Sequence, residues 1–253
     1  MATALGAELV DMDQVQVHPT GFVKADDPDG LTKFLAAEAL RGEGGILLDA
    51  SGKRFVNELD TRDRVADAVF HHCAARNTRA QHGSTGREEG PRAAAFLVLS
   101  QTAADRFGHG ALGFYERMGL ISRAAGLTEL ATALRVDKSV LRQTLETYDR
   151  ARDSGEPDEL GKSVFPAAMA AADVYFWGVI TPVLHYCMGG LRFDSATHVL
   201  RSSGTAIRGL LAAGEVTGGL HGANRLGGNS LLECVVFGRE AGRRAAELAA
   251  GAL

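Results

Sequence analysis

From residue 188 onward glycine governs what the chain can become. MGGLRFD and then LLAAGEVTGGLHGANRLGGNSLL crowd glycines between short apolar runs, and a long helix rich in alanine and arginine closes the sequence. Dense glycine beside buried strands means that the backbone must pass close to something, often a ligand.

The earlier part reads differently. Residues Val15 to Val17 finish a short strand, and His-Pro-Thr-Gly at 18–21 breaks it into a loop. A residue before proline is pushed toward extended geometry, so His18 should project from the strand end. Asp29 is placed to cap a helix with Leu31, Phe34 and Leu35 on one face and its stop at Gly42. Glu38 and Arg41 then share one side of its last turn. ILLDASGKRFV reads as a hairpin around a Ser-Gly turn. Asp60, Thr61 and Asp63 open a helix with Arg62 in its first turn, and Val65, Ala68, Val69 and Cys73 form its buried stripe. Residues 77–92 are polar and turn-rich, a mobile surface loop on this reading. AAAFLVLS is a buried strand, and Asp137 caps a helix presenting Leu141, Leu145 and Tyr148. Residues 176–180 and the segment around Leu184 are further strands. The layout is a mixed α/β body interrupted by a helical, hairpin-rich insertion.

Composition narrows the function classes. A net charge of −4 over 253 residues offers no basic field for nucleic acid. No apolar run approaches the ~20 residues of a membrane span. Cys73, Cys187 and Cys234 are odd in number and far apart, which fits inert thiols in a reducing compartment and argues against disulfides or a CxxC metal site. The chain opens without a basic or apolar signal segment, and Met1 reads as an internal residue of a longer fold. A soluble protein is expected, with cytoplasm and mitochondrion both open.

The residues able to carry chemistry are cationic and scattered: His18, Arg41, Arg62, His185 and Arg225. Guanidinium grips a carboxylate through two parallel hydrogen bonds, and imidazole adds others, so a pocket collecting these groups would suit a small dicarboxylate. Glu38 beside Arg41 would supply a proton route. Taken singly, each is a surface arginine or a loop histidine, and Arg62 would pair with Asp63 at a helix start; spacing alone does not assemble them.

Four blocks do more together. HPTG, AAEALRGEGGILLDASGKRFVNELDTRD, HYCMGG and AAGEVTGGLHGANRLGGNSLLE resemble, in that order, the motifs of the fumarate reductase flavoprotein family, and most closely its soluble yeast and protist members. The resemblance implies an α/β fold with an α+β cap: the remnant of an FAD-binding Rossmann-like domain interrupted by a capping domain. Residues 1–17 and 186–253 would belong to the FAD-binding part, and residues 18–185 to the cap. It implies that Arg62 is the acid, that Glu38 and Arg41 return its proton, and that His18, His185, Arg225 and Gly228 hold the substrate. Glu215, Asn229, Ser230 and Leu231 would meet non-covalently bound FAD, while His221 is structural. Ala37 stands where the family often has threonine, which removes a hydroxyl and costs ~1 kcal/mol of substrate binding if nothing replaces it.

The family carries its pyrophosphate-binding glycine turn in an N-terminal half, and no such turn follows a first strand here. The missing half, or a partner chain supplying it, is therefore expected to complete the protein. Urocanate or another alkene acid, succinate oxidation, and a non-catalytic remnant in a larger assembly remain alternatives. The electron donor is open among NADH, quinol and cytochrome.

Overall fold

A computed structural model describes residues 1–73 and 93–251. The surface loop expected at 77–92 lies outside the described residues. A 3₁₀ turn at Ala2–Leu5 precedes β1 (Leu9–Val10), β2 (Val15–Phe22), α1 (Glu38–Gly42), β3 (Ile46–Leu48) and α2 (Arg62–His72). Then come β4 (Ala95–Ser100), α3 (Gln101–Phe107), α4 (His109–Arg117), β5 (Ser122–Ala125), α5 (Gly126–Leu134) and α6 (Lys138–Ser154). The chain ends with β6 (Val174–Cys187), β7 (Gly190–Leu191), β8 (His198–Leu200), β9 (Ala206–Leu211) and α7 (Asn229–Ala249). It divides into two compact units, His18–Val183 and the combination of Met1–Val17 with Leu184–Leu253.

The 18–183 unit is built on a sheet ordered β2-β6-β4-β3, with β5 also pairing β6. Every residue of β4 is buried, because both faces of the sheet are covered. Leu97 and Leu99 face one way, into a core with Leu40, Val65, Val69, Ala103 and Leu112 from α1 to α4. Phe96 and Val98 face the other way, into a core with Leu130, Leu134, Leu141, Leu145 and Tyr148 from α5 and α6. A strand covered on both sides reads as a continuous apolar run, which is what AAAFLVLS is. Asp137 caps α6 as expected, accepting from Ser139 N at 2.7 Å and Val140 N at 3.1 Å.

Three local expectations are corrected. HPTG does not break the strand: β2 runs through it to Phe22. Proline cannot donate to a ladder, and β2 tolerates Pro19 because it ends the sheet order. The helix expected from Asp29 exists only as α1, and Leu31 is fully exposed. Residues 34–36 are instead drawn alongside β2, where Phe22 N donates to Phe34 O (2.7 Å) and Ala36 N to Thr20 O (2.9 Å). The two strands expected around 176–180 and Leu184 are one long β6. The hairpin after β3 turns tightly on Asp49, whose carboxylate accepts from Ser51 N and Lys53 N; its return arm is a single bridge at Arg54.

In the other unit β1 pairs β7, and β8 pairs β9 around Val199, Ile207 and Ala212. Several of its glycines serve close backbone approach within the chain. A Cβ on Gly189 would lie 2.2 Å from Asp11 O, and one on Gly190 2.3 Å from Val216 O. Gly222 and Gly228 have no such neighbour within 4 Å. All three cysteines are free; Cys73 is buried as expected, whereas Cys234 is exposed.

Candidate functional site

In the 18–183 unit the motif residues gather at the start of α2. Arg62 is the first residue of that helix and is buried. Its guanidinium pairs with Glu38 of α1, Nη2 to Oε2 at 2.6 Å and Nε to Oε2 at 3.1 Å. The arginine side chain is 10% exposed and the glutamate 48%, so the carboxylate is the member of the pair that meets solvent. Arg41, 2% exposed, donates from Nη1 to the carbonyl of Glu58. Burial first, and then the neighbouring Arg62 charge, lower the Arg41 guanidinium, against the opposing pull of Glu38 and Glu58. The resulting cluster is two arginines and a carboxylate with one side open to water.

At Ala37 no side chain caps α1. The Tyr115 hydroxyl takes up part of that role, accepting from Ala37 N at 3.3 Å and donating to Leu35 O at 3.1 Å. His18 is buried within β2, and Thr20 N donates to its Nδ1 at 3.3 Å. With Nδ1 as acceptor, the ring proton belongs on Nε2.

Arg225 and His185 belong to the other unit. Arg225 is 3% exposed, and its guanidinium lies 4.3 Å from the ring centroid of Tyr186. Its carbonyl accepts from Gln16 Nε2 at 2.7 Å, and the same amide reaches Asn224 Oδ1 at 2.8 Å. The Tyr186 hydroxyl donates to Glu233, whose other oxygen lies 2.7 Å from His221 Nε2. Burial and the Glu233 carboxylate push the Tyr186 phenol well above its ordinary range. His221 is thus tied into a buried network behind Arg225.

α7 begins after Gly228, which is in the left-handed conformation and supplies no side-chain cap. Asn229 and Ser230 are half-buried there, and Leu231 is 79% exposed. Glu215, exposed, accepts from Cys187 N at 2.9 Å. The hexapeptide GHGALG at 108–113 has the letters of a dinucleotide turn but is Gly108, which follows α3, and the first residues of α4. Without a preceding strand it is no pyrophosphate cradle.

Residue-by-residue reading passed over Glu58, Lys162, Tyr186 and Glu233, all buried polar groups. The spacing of Arg54 and Glu58 in KRFVNE was a signal available for the first of them. Among the described residues no cluster of His, Cys, Asp and Glu could hold a metal ion, and no helix is long and apolar enough to cross a membrane.

Comparison with known proteins follows the same line. The model of the FAD binding domain family matches residues 1–231. The chain is 43% identical over 246 residues to a fumarate reductase of Schizosaccharomyces pombe, covering 97% of this chain and 44% of that protein. It is 42% identical over 245 residues to fumarate reductase 1 of Saccharomyces cerevisiae, covering 94% and 48%. The solved open conformation of a flavocytochrome c3 fumarate reductase superposes with a TM-score of 0.66 at 31% identity, over 98% of this chain and 39% of that one. The chain belongs to the FAD binding domain family and, within it, to the fumarate reductase flavoproteins that its motifs resemble. It spans just under half the length of the two yeast relatives.

Proposed function

We propose that this chain is the substrate-handling part of an FAD-dependent fumarate reductase, with the His18–Val183 unit as its cap. The observation that carries the reading is the Glu38–Arg62 pair at the start of α2. Arg62 delivers a proton to one alkene carbon, and Glu38 Oε2, 2.6 Å from Arg62 Nη2, returns it. Arg41 adds a second positive charge beside the pair.

His18, His185, Arg225 and Gly228 are assigned to the two substrate carboxylates. Arg225 suits such a clamp because Tyr186, Gln16 and Asn224 already fix its plane and backbone. Non-covalently bound FAD, when reduced, supplies hydride to the other alkene carbon. The residues present fit that cofactor: the start of α7 has no side-chain cap, and its N–H groups suit an electron-rich ring edge. Asn229, Ser230 and Leu231 would face that edge, and Glu215 a sugar hydroxyl. The remainder of the cofactor is assigned to an N-terminal half of the kind the family carries. Exposed Leu226, Leu231, Leu232, Val235 and Val236 form the apolar surface that such a half would cover.

The test is Arg62→Ala in an enzyme completed with that half. Fumarate reduction should be abolished while FAD stays bound, and Arg62→Lys should be severely impaired because lysine lacks the planar reach of guanidinium. Retention of even a tenth of the turnover, ~1.4 kcal/mol of barrier, would overturn the acid role.

A further inference from the structure

Beneath the Glu38–Arg41–Arg62 cluster lies a buried ionic network. Glu58 is fully buried, and its carboxylate collects four donors. Oε1 accepts from Leu47 N (3.2 Å) and Arg54 Nε (2.8 Å). Oε2 accepts from Arg54 Nη2 (2.9 Å) and from Lys162 Nζ (2.9 Å), itself fully buried. Asp158 completes the charge balance, accepting from Arg54 Nη1 at 2.6 Å and from Lys162 N at 2.8 Å. Three separate stretches of chain are therefore fastened to one carboxylate: β3, the return arm of its hairpin, and the 158–162 loop.

The main chain of the same residue has a second task. Its carbonyl accepts from Arg41 Nη1. Arg41 Nε and Nη2 are buried and have no hydrogen-bond partner among the described residues, so that carbonyl sets where the guanidinium points. Four residues on from Glu58 comes Arg62, through a turn closed by Leu59 N on Asn57 Oδ1 (3.0 Å) and Asp60 N on Asn57 O (3.1 Å). A movement of Glu58 displaces both arginines.

We infer that Glu58 is a positioning residue for proton delivery, holding Arg41 by its carbonyl and the launch of α2 by its carboxylate anchor. The inference rests on the roles proposed above for Glu38, Arg41 and Arg62. Buried ion networks are weak sources of stability, because apolar groups of the same shape often serve as well. What this one supplies is direction. Four donors fix a carboxylate in position and orientation, which apolar packing does not do for a peptide carbonyl.

The test uses Glu58→Gln and the double variant Glu58→Gln with Lys162→Met, which removes both charges and leaves Arg54 paired with Asp158. In the 253-residue chain itself, hydrogen exchange at the Arg41 side chain is read by nitrogen-15 NMR. It should accelerate by about tenfold or more while the unfolding midpoint of the double variant stays near the parent's. In the completed enzyme, kcat should fall about tenfold to a hundredfold with KM for fumarate little changed, as for a misplaced catalytic group. The alkaline limb of the pH–rate profile should move to lower pH. Glu58 raises the Arg41 guanidinium together with Glu38, against Arg62, so removing its charge lets Arg41 lose its proton sooner. Glu58→Asp should restore part of kcat. Unchanged exchange at Arg41, an effect confined to KM, or unfolding of both variants would overturn the inference. The exchange readout stands apart from the chemistry, so a failure of the Arg62→Ala test would not be mistaken for a failure here.

Discussion

Replacing Lys162 by methionine measures how far the 18–183 unit depends on its buried charges. Lys162 and Glu58 are both 0% exposed and meet at 2.9 Å. Methionine keeps most of the lysine volume, so the change removes the charge and leaves little cavity. Breaking one side of a buried pair costs ~3–5 kcal/mol, because the remaining charge stays buried. Arg54 still grips both oxygens of Glu58, at 2.8 and 2.9 Å, which places the cost at the low end, about 3 kcal/mol. For a chain of this size that is a fall in Tm of roughly 6–12 °C. Trp177 is the sole tryptophan, and its ring packs edge-on to Phe96 in this unit. Its fluorescence through a urea titration therefore follows the relevant transition. The acid side gives a second reading. Burial alone would raise the Glu58 carboxyl, but Arg54 and Lys162 together hold it below the ordinary carboxylate range. A carboxyl lowered by folding stabilises above its unfolded pKa, and that stability is lost as pH falls through the folded value. Lys162→Met weakens the downward pull, so acid unfolding should begin at a higher pH. An unfolding free energy from the urea titration within about 0.5 kcal/mol of the parent's, with unchanged acid unfolding, would refute the reasoning.

Two further outcomes are expected. In the completed enzyme, alanine at His18, His185 or Arg225 should raise KM and lower kcat together, since the clamp both binds and distorts the substrate; Arg225→Ala should be the most severe because a bidentate contact is lost. A change in only one of these constants would count against the clamp. The 253-residue chain titrated with FAD should bind weakly or not at all, because the start of α7 and Glu215 meet only one side of the cofactor. Tight one-to-one binding, followed by flavin fluorescence, would show that the cofactor site is complete within these residues.

Much of the fold was legible wherever a local rule acted without competition. AAAFLVLS had to be a strand covered on both faces, and Asp137 had to cap α6. In the Val65, Ala68, Val69 and Cys73 stripe, Val65, Val69 and Cys73 are buried and Ala68 packs partly buried against the same core. The family was legible too, because HPTG, NELDTRD, HYCMGG and HGANRLGGNS keep their order along the chain. Tertiary structure decided the rest by offering backbone groups other partners. Residues 34–36 gave up a helix because Thr20 and Phe22 present an open strand edge. Pro19 stayed in a strand because that edge needs no further donor at its position. Arg62 meets Glu38, 24 residues away, because α1 and α2 bring the two side chains together. Glu58 and Lys162, 104 residues apart, could become a pair only once the fold had excluded water from both, and no local spacing encodes that.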